Sequence, residues 1–273
     1  MEKVEYYDNG DVKSRFVGDI KNGKGEKTFY EKNGVLKKKD FFTDSQMDSS
    51  VYYFEGDEKR IREIWSYDKN EIEVLRYNSK GQLTKRGKTL KKKSTFKIGK
   101  WKYSDHDTKM DSIVEYINLN GKSYPNQIWV MTSEGDTIYG RGNYFDIYKK
   151  DTVPVKEVAR VQFILMEPSL NINSEVLIVV PKEDEKLNPD FSNIFEIERD
   201  TLFSMKNDGI LRQNIPDETP VNHIVEFGIQ FEKAGKRRIR GVLIEYFQSK
   251  NNDFKSDSLI ERRLYFSDSI LVN

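Results

Sequence analysis

The chain of 273 residues contains no cysteine, two histidines, seven prolines and no long apolar run. Each shortage excludes something. Without cysteine there are no disulfides, no thiolate metal ligands and no thiol nucleophile. With only His106 and His223, a histidine-centred mechanism has few options. A membrane-spanning helix needs about 20 consecutive apolar residues, and their lack predicts no membrane insertion. The opening MEKVEYYDNG is charged and turn-like, unlike a signal peptide. If the natural protein is exported, its leader has been removed and Met1 is an added start, which would place it in the periplasm or at the cell surface; otherwise the cytoplasm is expected.

What is present in quantity is charge and aromatic surface. Charged residues make up 33% and aromatics 12%, so Tyr and Phe supply much of the apolar area, which suits strands. The net charge of +1 hides an asymmetry: residues 1–150 carry 30 basic against 24 acidic side chains, and the remainder 16 against 21. A length of 273 residues accommodates one large or two ordinary domains, either with a real core.

A repeat runs through the first half. YYDNGDVK at residues 6–13 is followed by FYEKNGVLK at 29–37, with Gly10 and Gly34 24 positions apart. Asn-Gly between aromatic and aliphatic runs signals a tight hairpin, whose two central residues both require positive φ. Looser copies are YNSKGQLTK, YINLNGKSY and WVMTSEGDTIYG, carrying Gly81, Gly121 and Gly135. A second kind of turn, in IKNGKGEKTFY and FKIGKWKYSD, leads from Gly-Lys into an aromatic strand. Two turns and two strands fit one period of about 22 to 24 residues, the mark of an array whose hairpins bury a face only by stacking on neighbours. DEKRIREIWSYD places Ile61, Ile64 and Trp65 at helical spacing. Ile61, Trp65 and Tyr67 also fit strand alternation with Glu63 pointing out, and the neighbouring units favour the strand.

The alternation of Tyr-Tyr-x-x-Asn-Gly-x-x-Lys with Gly-Lys-x-x-Tyr resembles the bacterial variant of the MORN repeat over roughly residues 3–145, most clearly at Tyr6, Tyr30 and Trp101. The resemblance implies a long meandering sheet of hairpins and a binding or scaffolding role without catalytic residues; related repeats in some bacteria are antitoxins. One departure is an insertion of about 16 residues around KTLKKKSTFK, which breaks the period.

From about Tyr148 the repeat turns give way to prolines and longer apolar runs. ARVQFILMEP, SEVLIVVPK, NIFEIERDTLFSM, NHIVEFGIQFEK, RRIRGVLIEYFQ and LIERRLYFSD read as six strands, and in the fourth Val225, Phe227, Ile229 and Phe231 alternate as a buried face. Two packed sheets are expected. The corner FGIQFEKAGKRRIRGVLIEYF is similar to that of immunoglobulin-like sandwiches, although Arg237 stands where such domains often place a tyrosine. The polar KKDTVP at 149–154 reads as a linker, which predicts residues 1–147 as a hairpin-repeat domain and 148–273 as a β-sandwich, both in an all-β chain.

The chemistry that could make an enzyme is thin. His223 heads a strand and reads as a capping or partly buried side chain. His106 lies in YSDHDTKMD with Asp105, Asp107 and Asp111, but the spacing and glycine of a calcium loop are missing. Gly121-Lys122-Ser123 lacks the glycine five positions earlier that a phosphate loop needs, the residue there being Tyr116. The carboxylates of PKEDEKLNPD read as a solvated loop. KRGKTLKKKSTFKIGKWK, residues 85–102, holds nine Lys or Arg and no acid; it reads as a long solvated hairpin connection rather than a nucleic-acid strip. No metal, cofactor or nucleic acid is therefore expected. The candidates are aromatic: Tyr7, Tyr30, Tyr53, Trp101, Tyr103 and Trp129, at repeat-equivalent places, as a ligand-binding strip. The leading expectation is a non-catalytic binding or scaffold protein that presents a repeat surface to a protein or glycan partner. The alternatives are a hydrolase with a carboxylate site between the domains and an antitoxin-like neutraliser.

Overall fold

In the computed structural model, which describes residues 1–273 except 20, 211–215, 217–218 and 250–257, strand follows strand with almost no helix. Ile20, in the second turn type named above, lies outside the described residues. The first twelve strands are β1 (Glu2–Tyr6), β2 (Val12–Asp19), β3 (Lys24–Tyr30), β4 (Leu36–Thr43), β5 (Gln46–Phe54), β6 (Asp57–Tyr67), β7 (Glu71–Tyr77), β8 (Leu83–Leu90), β9 (Lys93–Asp105), β10 (Met110–Leu119), β11 (Lys122–Thr132) and β12 (Thr137–Asn143). They form one antiparallel hairpin sheet in chain order. The remainder are β13 (Phe145–Lys149), β14 (Thr152–Val153), β15 (Val158–Leu165), β16 (Glu175–Pro181), β17 (Arg199–Phe203), β18 (Ile224–Gln230), β19 (Gly235–Ser249) and β20 (Ser258–Val272). Among the described residues no helix is long and apolar enough to cross a membrane. The chain divides into two compact units, Met1–Ile117 with Met131–Asp136, and Asn118–Val130 with Thr137–Asn273.

One turn form recurs through the first unit. At the first hairpin Gly10 N–H donates to the Tyr7 carbonyl and Tyr7 N–H to the Asp11 carbonyl. The same pair of bonds joins Glu31, Gly34 and Val35; Asn78, Gly81 and Gln82; and Thr132, Gly135 and Asp136. This is a three-residue loop in which a type I turn is followed by a left-handed glycine and a bulge. Gly10 and Gly34 have φ of 89° and 80°. Asn9 and Asn33 do not share the positive φ expected of them; instead their Oδ1 atoms accept the N–H of Asp11 and Val35. The two-residue form with both φ positive occurs at Asn120–Gly121 and, without glycine, at Asp44–Ser45.

The lysine-rich stretch is not a solvated connection. Residues 83–90 and 93–105 are paired strands joined only by Lys91 and Lys92. The register of this pair slips twice, between Arg86 and Lys88, opposite Gly99 at φ 62°, and between Thr89 and Leu90. There Gly87 is required by its neighbour: a Cβ would stand 2.3 Å from the Trp101 ring. Phe16 covers Gly18 and Gly25 in the same way. In a single-layer sheet such rings, laid over glycines of their own or adjacent strands, exclude water that a second layer would otherwise have to exclude. The strand expected at DEKRIREIWSYD is β6, with Glu63 on the Trp65 side rather than away from it, its Oε2 accepting the indole N–H at 2.9 Å.

In the second unit β13-β15-β18 form a three-stranded antiparallel sheet. A five-stranded sheet has the order β14-β20-β19-β16-β17, with β14 parallel to β20. Both sheets feed one core: Phe145, Val161, Phe163 and Val225 from the first, and Val176, Ile178, Leu243, Leu264 and Phe266 from the second. The polar KKDTVP joins β13 to β14, and the Lys149 ammonium inside it is nearly buried between Asp151 and Asp268. The strand expected at NIFEIERDTLFSM is shorter, only Arg199–Phe203. Before it, Asn193 holds the chain in a turn by accepting the Asn188 N–H and donating to the Lys186 carbonyl, side-chain bonds that compete with ladder formation.

Candidate functional site

Residues opposite one another across a sheet share a face, and residues two apart along a strand share it too. The register therefore builds two rows across the first unit. One runs Ser14, Phe29, Lys38, Tyr52, Glu63, Arg76, Lys85, Tyr103, Ser112. The other runs Phe16, Lys27, Asp40, Ser50, Trp65, Val74, Gly87, with Trp101 lying on that glycine. Aromatic rings and paired charges alternate along this face.

Its middle is a buried polar network. The Asp40 carboxylate, 2% exposed, accepts the Ser50 hydroxyl at 2.5 Å and pairs with the Lys38 ammonium at 2.8 Å. Lys38 also lies 5.4 Å from the Phe29 ring centre and 5.2 Å from that of Tyr52. Burial opposes the charge on Lys38, but Asp40 outweighs it and holds the ammonium above the usual lysine range. Tyr52 in turn packs on Trp65, ring centres 5.3 Å apart.

Further along, three rings surround another ammonium. Lys97 Nζ lies 4.9 Å from the Trp101 ring centre, 5.2 Å from Tyr103 and 4.8 Å from Tyr116, and donates to the Tyr103 hydroxyl at 2.7 Å. Each such contact contributes about 0.5 to 2 kcal/mol. Burial first, and then the Tyr116 hydroxyl, push the Tyr103 phenol well above its ordinary pKa. Burial likewise raises Tyr52. Both hydroxyls therefore stay protonated at neutral pH and can donate hydrogen bonds.

Of the six aromatic candidates, Trp101 and Tyr103 lie on this face. Tyr30 and Tyr53 lie on the opposite one, near Lys39 and its partner Glu26. Tyr7 sits at the first turn, its hydroxyl donating to the Tyr30 carbonyl at 2.8 Å. Trp129 belongs to the second unit, its ring centre 5.7 Å from that of Tyr144. The structure does not bring the six into one strip. The face instead gathers Phe29, Tyr52, Trp65, Tyr67 and Tyr116, and in the pairs Phe29–Tyr30 and Tyr52–Tyr53 it takes the first member. Register shifts fall inside both pairs. A bulge there reassigns faces, so counting alternation from one strand to the next does not find them.

The histidines have other roles. His106 Nε2 bonds the Leu83 carbonyl at 2.8 Å, and Asp105 accepts the N–H groups of Asp107 and Thr108. His223, 4% exposed, is 3.3 Å from Ser174 Oγ, which donates to Glu245. Glu245 also accepts from Ser169, Leu170 and Asn143, which makes it a buried bracket for the 167–174 loop. Its bond goes to the serine and not to the imidazole, the reverse of the relay a nucleophilic serine needs. Among the described residues no three His, Asp or Glu side chains are grouped to hold a metal ion.

No family model, curated protein or solved structure matches the chain.

Proposed function

We propose that this is a non-catalytic binding or scaffold protein whose MORN-like hairpin sheet, followed by a β-sandwich, presents one face to a protein or glycan partner. The observation that supports this reading is the pair of rows across the first unit. Half-buried Phe29, Tyr52, Trp65 and Tyr103 stand among charges already held by partners, Lys38 by Asp40 and Arg76 by Glu63 at 3.4 Å. Rings held in this way offer flat apolar surface at little cost in side-chain entropy, the property that makes aromatic anchors dominate interfaces. They also stack on sugar rings. The charges between them supply directional contacts without a desolvated, unpaired ion.

The test is a glycan-array and protein cross-linking comparison of the wild type with the double variant Tyr52→Ala, Tyr103→Ala, both checked for folding by far-ultraviolet circular dichroism. Partners bound by the wild type should lose at least about tenfold in affinity with the variant, the scale of one or two removed anchors. Partners bound equally by both would place the binding surface elsewhere.

A further inference from the structure

The second unit has an opening in its core. Along β18 the inner residues Val225, Phe227, Ile229 and Phe231 go from fully buried to half-buried, and beyond Val225 they border a groove of about 920 Å³. Leu202 of β17, Val180 of β16 and Ile239 of β19 complete its apolar floor.

Among the described residues two strand edges without a ladder partner flank this groove: β17 pairs with β16, and β18 with β15. The edges meet where Met205 N–H donates to the Ile224 carbonyl at 2.7 Å. That bond shows which way β18 points. The Ile224 carbonyl is directed away from β15, so by alternation the N–H and C=O groups of Glu226, Gly228 and Gln230 are directed away from it as well. Phe231, one step out of phase, accepts from Lys156 on the β15 side, in agreement. Beyond the Met205 bond, β18 thus offers three alternate residues, Glu226, Gly228 and Gln230, as open ladder beside an apolar trough.

The charges around the groove are sorted by end. Lys233 stands in the β18–β19 turn and Lys236 and Arg238 at the start of β19, all exposed, and no ion pair among the described residues engages them. Glu232 is the acid on that side. Arg237 and Arg240 are occupied by backbone carbonyls, those of Lys233 and Ala234 and those of Leu187, Asn188 and Pro189. The opposite wall carries Glu183, Asp184 and Glu185.

We propose that this groove accepts an extended peptide with an acidic flank. Its backbone adds to β18 as a new edge strand, alternate apolar side chains enter the trough toward Phe227, Ile229 and Leu202, and its acidic residues meet Lys233, Lys236 and Arg238. Main-chain bonds supply the general affinity and the trough and charges the selection, as in other strand additions. The acidic wall at 183–185 confines the acidic flank to the turn end.

The probe is a fluorescein-labelled peptide, Asp-Asp-Val-Thr-Val-Thr-Val, titrated with the whole chain by fluorescence anisotropy. Saturable binding below about 1 mM is expected for a single added strand. A Lys-Lys-flanked counterpart should bind at least about tenfold more weakly at low salt. Gln230→Pro, which deletes one outward N–H together with the Gln230 Nε2 bond to the Lys156 carbonyl, should also weaken binding at least about tenfold, whereas Gln230→Ala, which loses only the side-chain bond, should not. If that variant misfolds, the pair Lys233→Glu, Lys236→Glu serves instead and should reverse the flank preference. Amide exchange at Glu226, Gly228 and Gln230 should slow when the peptide is bound. The proposal is overturned by no saturation, by equal binding of the two flanks, or by equal binding to the wild type and Gln230→Pro. It also falls if sedimentation shows a wild-type dimer that Gln230→Pro turns into monomer, because a second copy would then fill the groove.

Discussion

Trp101 in the first unit and Phe163 in the second are almost equally buried, 3% and 1% exposed, but they are buried in different ways. Trp101 lies flat on a glycine of the next strand, in a cluster with Ile72 and Val74 whose other members, Trp65, Tyr67, Tyr103 and Tyr116, are half-buried. Phe163 is enclosed by Phe145, Phe227 and Phe266, contributed by two sheets. The first unit gains its burial within one layer and strand by strand; the second gains it between layers and all at once. An array held by nearest-neighbour contacts loses structure locally, whereas a shared core unfolds as a single cooperative unit.

The largest effect should come from the shared core. Phe163→Ala should cost about 3 to 5 kcal/mol, measured as a fall in urea midpoint, with concerted loss of protection across β13 to β20. A cost below about 1 kcal/mol would break the comparison, since it would mean the two sheets do not depend on this ring. Trp101→Ala should cost less, about 3 kcal/mol at the low end for an aromatic, because its half-buried neighbours already reach water and can close over the gap. Hydrogen exchange should speed up in β7 to β10 and leave β13 to β20 unchanged; a loss spread over both units would contradict strand-by-strand stability.

A turn substitution sharpens the same point. Gly34→Val places a β-branched residue at φ 80° and should cost about 1 to 2 kcal/mol, with exchange faster at β3 and β4 only. A melting curve indistinguishable from wild type would show that this turn does not hold the hairpin.

Between pH 7.5 and 5, above the range of the carboxylates, a pH effect is expected in the second unit. Burial lowers the His223 pKa below its ordinary 6.5, and the nearby Glu245 charge offsets only part of this. The unfolded chain therefore takes up a proton first as pH falls. The stability associated with the neutral imidazole is intact above 6.5 and declines as pH drops below that value. Urea midpoints from pH 7.5 to 5 should trace this decline, to a modest extent, and His223→Gln should flatten it. An unchanged slope in the variant would assign the dependence to other groups.

The smallest effect belongs to the lysine turn. Replacing Lys91, Lys92 and Lys93 together with Ser should change stability by no more than about 0.5 kcal/mol, because all three side chains are exposed and make only surface contacts, such as those of Lys91 with the Asp68 carbonyl and Lys93 with the Phe96 ring. Binding to duplex DNA at physiological salt should be negligible before and after. Tight wild-type binding that the substitution abolishes would turn the turn into a site and move the partner to nucleic acid.

Turn positions and strand phases were legible along the chain because their causes are local. Gly10, Gly34, Gly81 and Gly135 mark left-handed positions that few other residues tolerate, and the alternation of Val225, Phe227, Ile229 and Phe231 marks one buried face without knowledge of what covers it. Which aromatic of an adjacent pair joins the charged face was not legible. A bulge inside Phe29–Tyr30 and another inside Tyr52–Tyr53 reset the count, and bulges are settled by the pairing of two strands rather than by either alone. The same holds for Gly87, which reads as a breaker until Trp101 from the next strand is laid on it, and for the lysine run, whose charge suggests a loop until its pairing makes it two strands. Local stereochemistry therefore determined where this chain turns and which residues alternate. Only the tertiary structure decided which side chains meet across strands, because that depends on registers set by the summed burial of many residues far apart in sequence.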